Sequence, residues 1–293
     1  MTKQTLFTGS ATAIVTPFRD GGIDYESFGE LIDFQIENGT DALVVLGTTG
    51  ESATISESER YEIIAFSKRR ISKRVPLIVG SGTNNTQVSL RYSKSAESQG
   101  ADGLLVVTPY YNKATERGLI EHYSLIAKSV DIPVILYNVP SRTGVNVPIS
   151  VYKALSGVEN IVGIKEASGN IATSCEIINA FHDRYDVYSG CDDLTLPILS
   201  LGGKGVISVV SNILPEIMHT LCHEFFNNNH QKSTQLQLSL MPLIKEMFSE
   251  VNPIPIKTAL YLMGKIQNEF RLPLCQSTRL DSIEAVLKQY NLL

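Results

Sequence analysis

The chain has 293 residues, of which 43% are hydrophobic and 19% charged, a globular composition that allows one large domain or two ordinary ones. A net charge of −5, without any run of Lys and Arg interleaved with aromatics, excludes nucleic acid as an expected partner. The four cysteines form no CxxC pair, which favours free thiols in a reducing compartment. Because the start MTKQTLFTGS lacks a signal-peptide core and no apolar stretch approaches about 18 residues, we expect a soluble cytoplasmic protein with no membrane partner.

Short, continuous apolar runs recur along the chain, mostly about 25–35 residues apart, which is the size of a βαβ unit. Continuous runs are typical of parallel strands that are covered on both faces. The predicted strands are Ala11–Val15, Ala42–Leu46, Leu77–Val79, Gly103–Val107, Val134–Tyr137, Val162–Lys165, Val187–Ser189 and Gly205–Val210.

Helical patterns fill the gaps between these runs. Ser56 with Glu59 three residues later predicts a capping box at the start of a helix, and Leu119–Ser129 and Val151–Leu155 show similar patterns. The pair Asp192–Asp193 could bind a cation, but it fits better as the start of a helix, where acids are favourable.

Eight strands that alternate with helices predict a (β/α)8 TIM barrel, with a doubly wound sheet as the alternative. After Val210 the strand pattern stops, and the remainder is predicted to form three helices. We therefore expect residues 1–214 to form the barrel domain. Residues 215–293 should form a C-terminal helical extension packed on the barrel, because no Gly/Ser-rich or Pro-rich linker separates the two parts.

Lys165 stands at the end of the sixth predicted strand, and in this fold the active site lies at the C-terminal ends of the strands. Gly163 shares its face and should leave room in the lumen. A lysine held there can lose its proton near neutral pH and attack a carbonyl to form an imine. The alternative is a strand-end lysine that extends into solvent or pairs with a carboxylate such as Glu166.

Other polar residues converge on the same end of the barrel. Tyr137 ends the preceding strand and could shuttle protons for an imine-forming lysine, although taken alone it fits a packed core aromatic. In GTTGE, Thr48 and Thr49 offer two hydroxyls that suit a small carboxylate, without the spacing or lysine of a P-loop. The guanidinium of Arg142 suits a carboxylate too, although lone loop arginines are usually solvated.

The segments GTTGES, TPYYN, YNVPSRTG, GIKEASG and GVISV, in this order and spacing, resemble the dihydrodipicolinate synthase family of pyruvate-dependent class I aldolases. The resemblance covers essentially the whole chain, including NPIPIKTAL and RLPL. It implies a Schiff-base lyase that condenses pyruvate with L-aspartate 4-semialdehyde to 4-hydroxy-tetrahydrodipicolinate, the first committed step of lysine and diaminopimelate biosynthesis. It also implies that no metal or organic cofactor is needed.

The same resemblance implies the catalytic roles. Lys165 forms the imine with pyruvate, and Tyr137 relays protons in a triad with Thr48 and Tyr111. The tyrosine at the position of Tyr111 reaches into the neighbouring subunit's site, which implies a homodimer, commonly paired into a homotetramer.

The resemblance implies binding roles for four further residues. Thr49 would hold the pyruvate carboxylate, and Arg142 would hold the carboxylate of aspartate semialdehyde. Gly190 and Ile207 would line the pocket with backbone groups.

Two alternatives to this function remain. Sialic acid and 2-keto-3-deoxy sugar acid aldolases of the family keep the lysine and the tyrosine, but they lack an arginine at the place of Arg142 and cleave rather than condense. A non-catalytic pyruvate-binding paralogue is the other alternative, although every catalytic position here holds the expected residue type.

One departure from the family concerns inhibition by lysine. Glu57 and Arg60 stand where sensitive members have histidine, and Val88 replaces a glutamate that would meet the ammonium of the ligand. Loss of such a partner should cost about 2–5 kcal/mol, so we predict weak or absent inhibition. The positions that still match the inhibitor site are Ser52, Ala53, Asn84 and Tyr110.

His219 and His223 form an i, i+4 pair followed by Glu224, a spacing that can bind metal. The apolar pattern of this helix places the histidines at its polar flank, and there is no HExxH motif. We therefore expect no metal site.

Overall fold

In the computed structural model, which describes residues 5–293, eight parallel strands close into a barrel. Each strand pairs with the next along the chain, and the last pairs with the first. The predicted (β/α)8 barrel is confirmed, and the doubly wound alternative is wrong. The barrel strands are β1 (Gly9–Ala13), β4 (Ala42–Val45), β5 (Leu77–Gly80), β6 (Gly103–Val107), β7 (Val134–Asn138), β8 (Ile161–Glu166), β9 (Asp186–Ser189) and β10 (Gly205–Ser208), while β2 (Phe18–Arg19) and β3 (Gly22–Ile23) form a small hairpin.

The first and last barrel strands end earlier than predicted, because backbone N–H groups just beyond them donate to side chains and not to a neighbouring strand. The N–H of Val15 donates to the Asn212 side-chain oxygen at 3.1 Å, so β1 stops short of it. The N–H of Val209 donates to Asp192 at 3.1 Å, and the chain then turns into a short 3-10 helix, Val210–Asn212.

The helices alternate with the strands as the sequence predicts. The capping box at Ser56 is confirmed: its hydroxyl accepts from the N–H of Glu59 at 3.3 Å, and its own N–H donates to the Glu59 carboxylate at 2.9 Å. No helix within residues 5–293 combines the length and hydrophobicity of a membrane span. The helices of the first 214 residues are α1 (Tyr25–Glu37), α2 (Glu57–Ile71), α3 (Thr86–Ser98), α4 (Glu116–Ala127), α5 (Pro140–Thr143), α6 (Ile149–Leu155), α7 (Ile171–Phe181) and α8 (Thr195–Ser200).

After residue 214 the chain is helical, with four helices where the sequence predicted three: α9 (Pro215–Phe226), α10 (His230–Met247), α11 (Ile254–Leu262) and α12 (Leu280–Gln289). The pattern missed α11 because prolines suggest a loop. Here Pro253 caps the helix and Pro255 lies in its first turn, where a missing N–H costs nothing. Helix α9 packs on β1, and α10 packs on α9.

The lower part of the barrel lumen is closed by aromatic side chains. Phe7 stacks on Tyr188 with ring centroids 4.3 Å apart, and the Tyr188 hydroxyl donates to the Phe7 carbonyl at 2.8 Å. A Cβ on Gly163 would lie 3.3 Å from the Tyr188 ring, so this ring fills the room that the glycine leaves. The lumen is therefore packed from below, and side chains at the upper strand ends face the mouth.

Candidate active site

Lys165 lies inside the barrel mouth, with only 5% of its surface exposed. Burial lowers the pKa of its ammonium to about 8, with a smaller contribution in the same direction from Arg142. Asp192 acts in the opposite direction, since a negative charge nearby favours the ammonium. About a tenth of this amine is therefore uncharged at pH 7, far more than for an exposed lysine with a pKa of about 10.4.

The alternative reading of Lys165 as a solvated or Glu166-paired lysine is wrong. Its side chain is buried, and the Glu166 carboxylate is occupied elsewhere. That carboxylate accepts from the Asn138 side-chain amide at 2.8 Å and from the Ser168 N–H at 2.6 Å. Adjacent residues on a strand face opposite sides, so Glu166 faces away from the lumen.

Tyr137 lies directly opposite Lys165 in the β7–β8 ladder, as the sequence predicted. The Lys165 Nζ is 4.4 Å from the centroid of the phenol ring. The tyrosine hydroxyl is hydrogen-bonded to Thr48, and burial raises the pKa of this phenol, opposed by Arg142 and by the Thr48 bond. The phenol is thus protonated at rest and already joined to a second hydroxyl along which a proton can move.

Asn252 is a site residue that the sequence reasoning missed. Its side-chain amide donates to the Thr49 hydroxyl at 3.0 Å, and its backbone carbonyl accepts from the Arg142 guanidinium at 2.9 Å. One residue of the C-terminal region therefore holds both predicted carboxylate-binding side chains. Its only signal in the sequence was its place in the NPIPIKTAL segment.

Asp192 is a second residue of the site whose place beside Lys165 the sequence reasoning missed. It begins a short 3-10 helix, Asp192–Leu194, as the sequence predicted, but its carboxylate is buried. The carboxylate accepts from the Ser208 hydroxyl and from the Val209 N–H, and it lies close enough to Lys165 to oppose the fall in that lysine's pKa. Burial raises the pKa of Asp192 itself.

Gly190 lies against the lysine stem, and Ile207 lies among the inward-facing residues of the barrel. A Cβ on Gly190 would lie 2.9 Å from the Cε of Lys165 and 2.6 Å from the Cβ of Ala167, so the lysine stem requires a glycine here. The Gly190 N–H donates to the Glu166 carbonyl at 2.7 Å, which engages this amide within the protein. Ile207 is fully buried among the inward-facing residues of the barrel.

Tyr111 is the one predicted catalytic residue that the single chain does not bring to the lysine. Its side chain is 91% exposed, on the loop after β6, with a left-handed backbone at φ +71°. A non-glycine residue in this conformation is uncommon.

A cavity of about 380 Å³ opens at the mouth of the barrel. Its wall includes Thr48, Arg142 and Asn252, and it continues towards Ser52, Ala53, Arg60 and Tyr110. This volume suits a small polar substrate. Arg142 and three positions that match the inhibitor site, Ser52, Ala53 and Tyr110, therefore border one connected space.

A buried strand-borne lysine with a depressed pKa, facing a tyrosine in a barrel mouth, places the protein in the class of imine-forming aldolase-type barrels. The chain belongs to the dihydrodipicolinate synthetase family, which matches residues 6–289.

Individual relatives agree with this family over nearly the whole chain. A 4-hydroxy-tetrahydrodipicolinate synthase from Lachnoclostridium phytofermentans is 51% identical over 273 residues, covering 92% of this chain and 93% of the relative. The crystal structure of dihydrodipicolinate synthase from Thermotoga maritima has 46% identity and a TM-score of 0.96, covering 99% of this chain and 100% of that one. A chloride-inhibited dihydrodipicolinate synthase from Acinetobacter baumannii, complexed with pyruvate, has 40% identity and a TM-score of 0.96, covering 99% and 100%.

The pKa of Lys165 predicts how imine formation depends on pH. The nucleophile is the uncharged amine, so the rate of trapping by pyruvate and a hydride reductant should rise about tenfold from pH 6 to pH 7 and level off above about pH 9. Mass spectrometry of the Lys165 peptide measures this rate, with Lys165→Arg as the unreactive control. A rate that keeps rising tenfold per unit beyond pH 9 would mean an ordinary, solvated lysine.

Proposed function

We propose that the protein is a 4-hydroxy-tetrahydrodipicolinate synthase, a lyase that condenses pyruvate with L-aspartate 4-semialdehyde through a Schiff base on Lys165. The observation that carries the proposal is the buried Lys165 amine, 4.4 Å from the Tyr137 ring. Arg142 lies on the wall of the cavity at the barrel mouth and contributes to the lowered pKa of Lys165, and its guanidinium favours a second substrate that carries a carboxylate.

The first half of the reaction makes a nucleophile from pyruvate. The uncharged Lys165 amine attacks the keto carbon, and the resulting carbinolamine loses water to give a protonated imine. Proton transfer to the departing hydroxyl runs through Tyr137 and Thr48, whose hydroxyls are already hydrogen-bonded. The imine then acidifies the pyruvate methyl group, because loss of a methyl proton leaves an enamine rather than a free carbanion.

The second half joins the two substrates and frees the enzyme. The enamine carbon attacks the aldehyde carbon of aspartate semialdehyde, and the aldehyde oxygen takes up a proton. The amine of that substrate then attacks the imine carbon and closes a six-membered ring. The Lys165–carbon bond breaks, and the lysine leaves as the free amine. Every step uses side chains of the protein, and none requires an organic cofactor or a metal.

Substrate binding follows from the same geometry. Thr49, held by Asn252, is proposed to bind the pyruvate carboxylate, and Arg142 the carboxylate of aspartate semialdehyde. Gly190 and Ile207 shape the space around the imine, since a larger residue at position 190 would collide with the lysine stem.

Tyr111 supports a proposal about assembly. We infer that its exposed ring enters the site of a neighbouring subunit and completes the triad with Tyr137 and Thr48 there. The functional unit would be a homodimer, which can pair into a homotetramer. The reaction and the free thiols Cys175, Cys191, Cys222 and Cys275 fit a cytoplasmic enzyme.

We also propose the division into a catalytic barrel, residues 1–214, and a helical extension, residues 215–293, packed on it. Three hydrogen-bonded links support this arrangement. Gln237 contacts the Asp192 carbonyl at 3.1 Å, Asn252 contacts Thr49, and the Lys257 ammonium contacts Glu51 at 2.5 Å.

Trapping and two turnover assays test the proposed function together. Pyruvate with borohydride should add one reduced pyruvate to Lys165, and Lys165→Arg should remain unmodified. The enzyme should consume pyruvate with aspartate semialdehyde and leave sialic acid intact. Trapping without condensation, combined with sialic acid cleavage, would favour the lyase alternative, and no trapping at all would favour the binding-only alternative.

Arg142→Gln should separate the two substrates. We expect the KM for aspartate semialdehyde to rise roughly 10- to 100-fold, because a hydrogen bond to a charged group contributes about 1.5–3 kcal/mol, while the KM for pyruvate changes little. Steady-state kinetics with each substrate varied in turn measures this. Arg117→Gln, on the exposed face of α4, is the matched control. Equal increases in both KM values would contradict a role for Arg142 in binding the second substrate.

Lysine should inhibit the enzyme weakly or not at all. The buried guanidinium of Arg60 lies 4.1 Å above the Tyr92 ring on the cavity wall and opposes the binding of a second cation there. We expect activity to survive millimolar lysine, and micromolar inhibition would contradict the proposal. Lysine should inhibit the triple variant Glu57→His, Arg60→His, Val88→Glu at a lower concentration than it inhibits the wild type.

A further inference from the structure

A cluster of two histidines and a carboxylate lies at the end of the barrel opposite Lys165. Asp41 immediately precedes β4, while His219 and His223 stand one turn apart on α9. The His219 Nδ1 is 3.1 Å from one carboxylate oxygen of Asp41, and the His223 Nε2 is 3.0 Å from the other. One potential ligand atom from each residue falls within 4.8 Å of the other two.

The backbone around this cluster is shaped to bring the three side chains together. A Cβ on Gly9 would lie 2.1 Å from the Asp41 carboxylate and 3.0 Å from the His223 Nε2, and the φ of Gly9 is +113°. A Cβ on Gly39 would lie 3.2 Å from the His219 ring. The two glycines therefore leave the space that the Asp41, His219 and His223 side chains need to meet.

The carboxylate is also oriented from behind. The N–H of Ser10 donates to the Asp41 carboxylate at 2.7 Å, and the N–H of Asp41 donates to the Ser10 carbonyl at 2.8 Å. Such outer hydrogen bonds fix a carboxylate ligand in metal sites and tune its donor strength.

Glu224, the third ligand that the sequence suggested, takes no part. Its carboxylate binds the Lys232 ammonium and accepts from the Asn229 amide at 2.8 Å. Asp41 lies 178 residues before His219, so only the fold brings it to the histidines. This distance along the chain explains why the sequence pattern did not reveal Asp41 as a neighbour of the two histidines.

We propose that Asp41, His219 and His223 bind a divalent transition metal ion, with Zn²⁺ as the reference ion. Two imidazole nitrogens and one carboxylate oxygen are a ligand set that Zn²⁺ and related ions accept. The side chains are 17% (Asp41), 30% (His219) and 40% (His223) exposed, so water can reach the ion and fill the remaining positions.

Binding balances in protons and charge. Each neutral imidazole carries one proton, which it can donate to Asp41 in the present arrangement. When the ion replaces these contacts, that proton moves to the other ring nitrogen and none is released overall. The ion and the carboxylate leave one net positive charge at a site open to water.

The expected effect of the ion is structural, because the cluster lies far from the Lys165 amine. It would join α9 to the segment that leads into β4. Metal that binds the folded but not the unfolded chain stabilises the protein by mass action, so the thermal midpoint should rise with Zn²⁺ concentration. The rate of pyruvate trapping at Lys165 should stay unchanged.

The test uses the full chain, treated with EDTA and carrying Cys275→Ser to remove the exposed thiol. Zn²⁺ is titrated by calorimetry, and Co²⁺ is added separately to record its absorption spectrum. The informative variants are His219→Asn and His223→Gln, in which an amide N–H stands near the replaced ring nitrogen and can still donate to Asp41. His182→Gln is the matched surface control.

We expect one equivalent of Zn²⁺ to bind the parent and the control. Each informative variant should bind more weakly by more than the roughly 10- to 100-fold that loss of an outer-shell partner costs. Equal affinity in all four proteins, or no saturable binding to the parent, would overturn the proposal. The parent could instead have a higher thermal midpoint than the two histidine variants in EDTA and show no response to Zn²⁺. That result would mean that the cluster only joins structural elements, and it would overturn the proposal too.

Discussion

The removal of the Lys165 amine from water is the constraint on which the site depends. Lowering its pKa from 10.5 to about 8 means that the surroundings of the amine, burial above all, disfavour the ammonium by about 3 kcal/mol in total. The barrel keeps the amine buried because Tyr188 and Phe7 pack the lumen from below and Gly190 leaves room for the lysine stem. Asp192 moderates the shift, so the lysine keeps a pKa close to the working pH, where an amine can alternate between nucleophile and leaving group.

A nucleophile that must gain and lose protons needs a neighbouring proton carrier that is itself uncharged at rest. Tyr137 meets this condition because burial keeps its phenol protonated, while its bond to Thr48 offers a path for proton transfer. The register of β7 and β8 places the two side chains opposite each other without any loop having to move. Residues fixed on neighbouring strands hold their separation more closely than residues on loops, as positioning catalysis requires.

The fold and the central pair could be predicted from the sequence, because periodicity and strand ends are local properties. Lys165, Tyr137 and Thr48 each follow a recognisable apolar run, and parallel strands align their ends. Asn252 and Asp41 could not be found in this way, since the side chains that they contact in these sites lie between 110 and 203 residues away along the chain. The predicted strand ends near Val15 and Val209 were wrong because side chains from other elements end these strands: Asn212, 197 residues from Val15, and Asp192, 17 residues from Val209.

The C-terminal helices act on the site through a second buried lysine. The Lys257 ammonium is fully buried, 2.5 Å from Glu51 and 4.2 Å from the centroid of the Phe18 ring. Removal of either charge would leave the other buried without a partner, a change that typically costs about 3–5 kcal/mol. Glu51 has a left-handed backbone, φ +53°, at the end of the turn that carries Thr48 and Thr49. Lys257 therefore fixes this turn, and through it both hydroxyls, so under the proposed function the extension would position substrate as well as pack on the barrel.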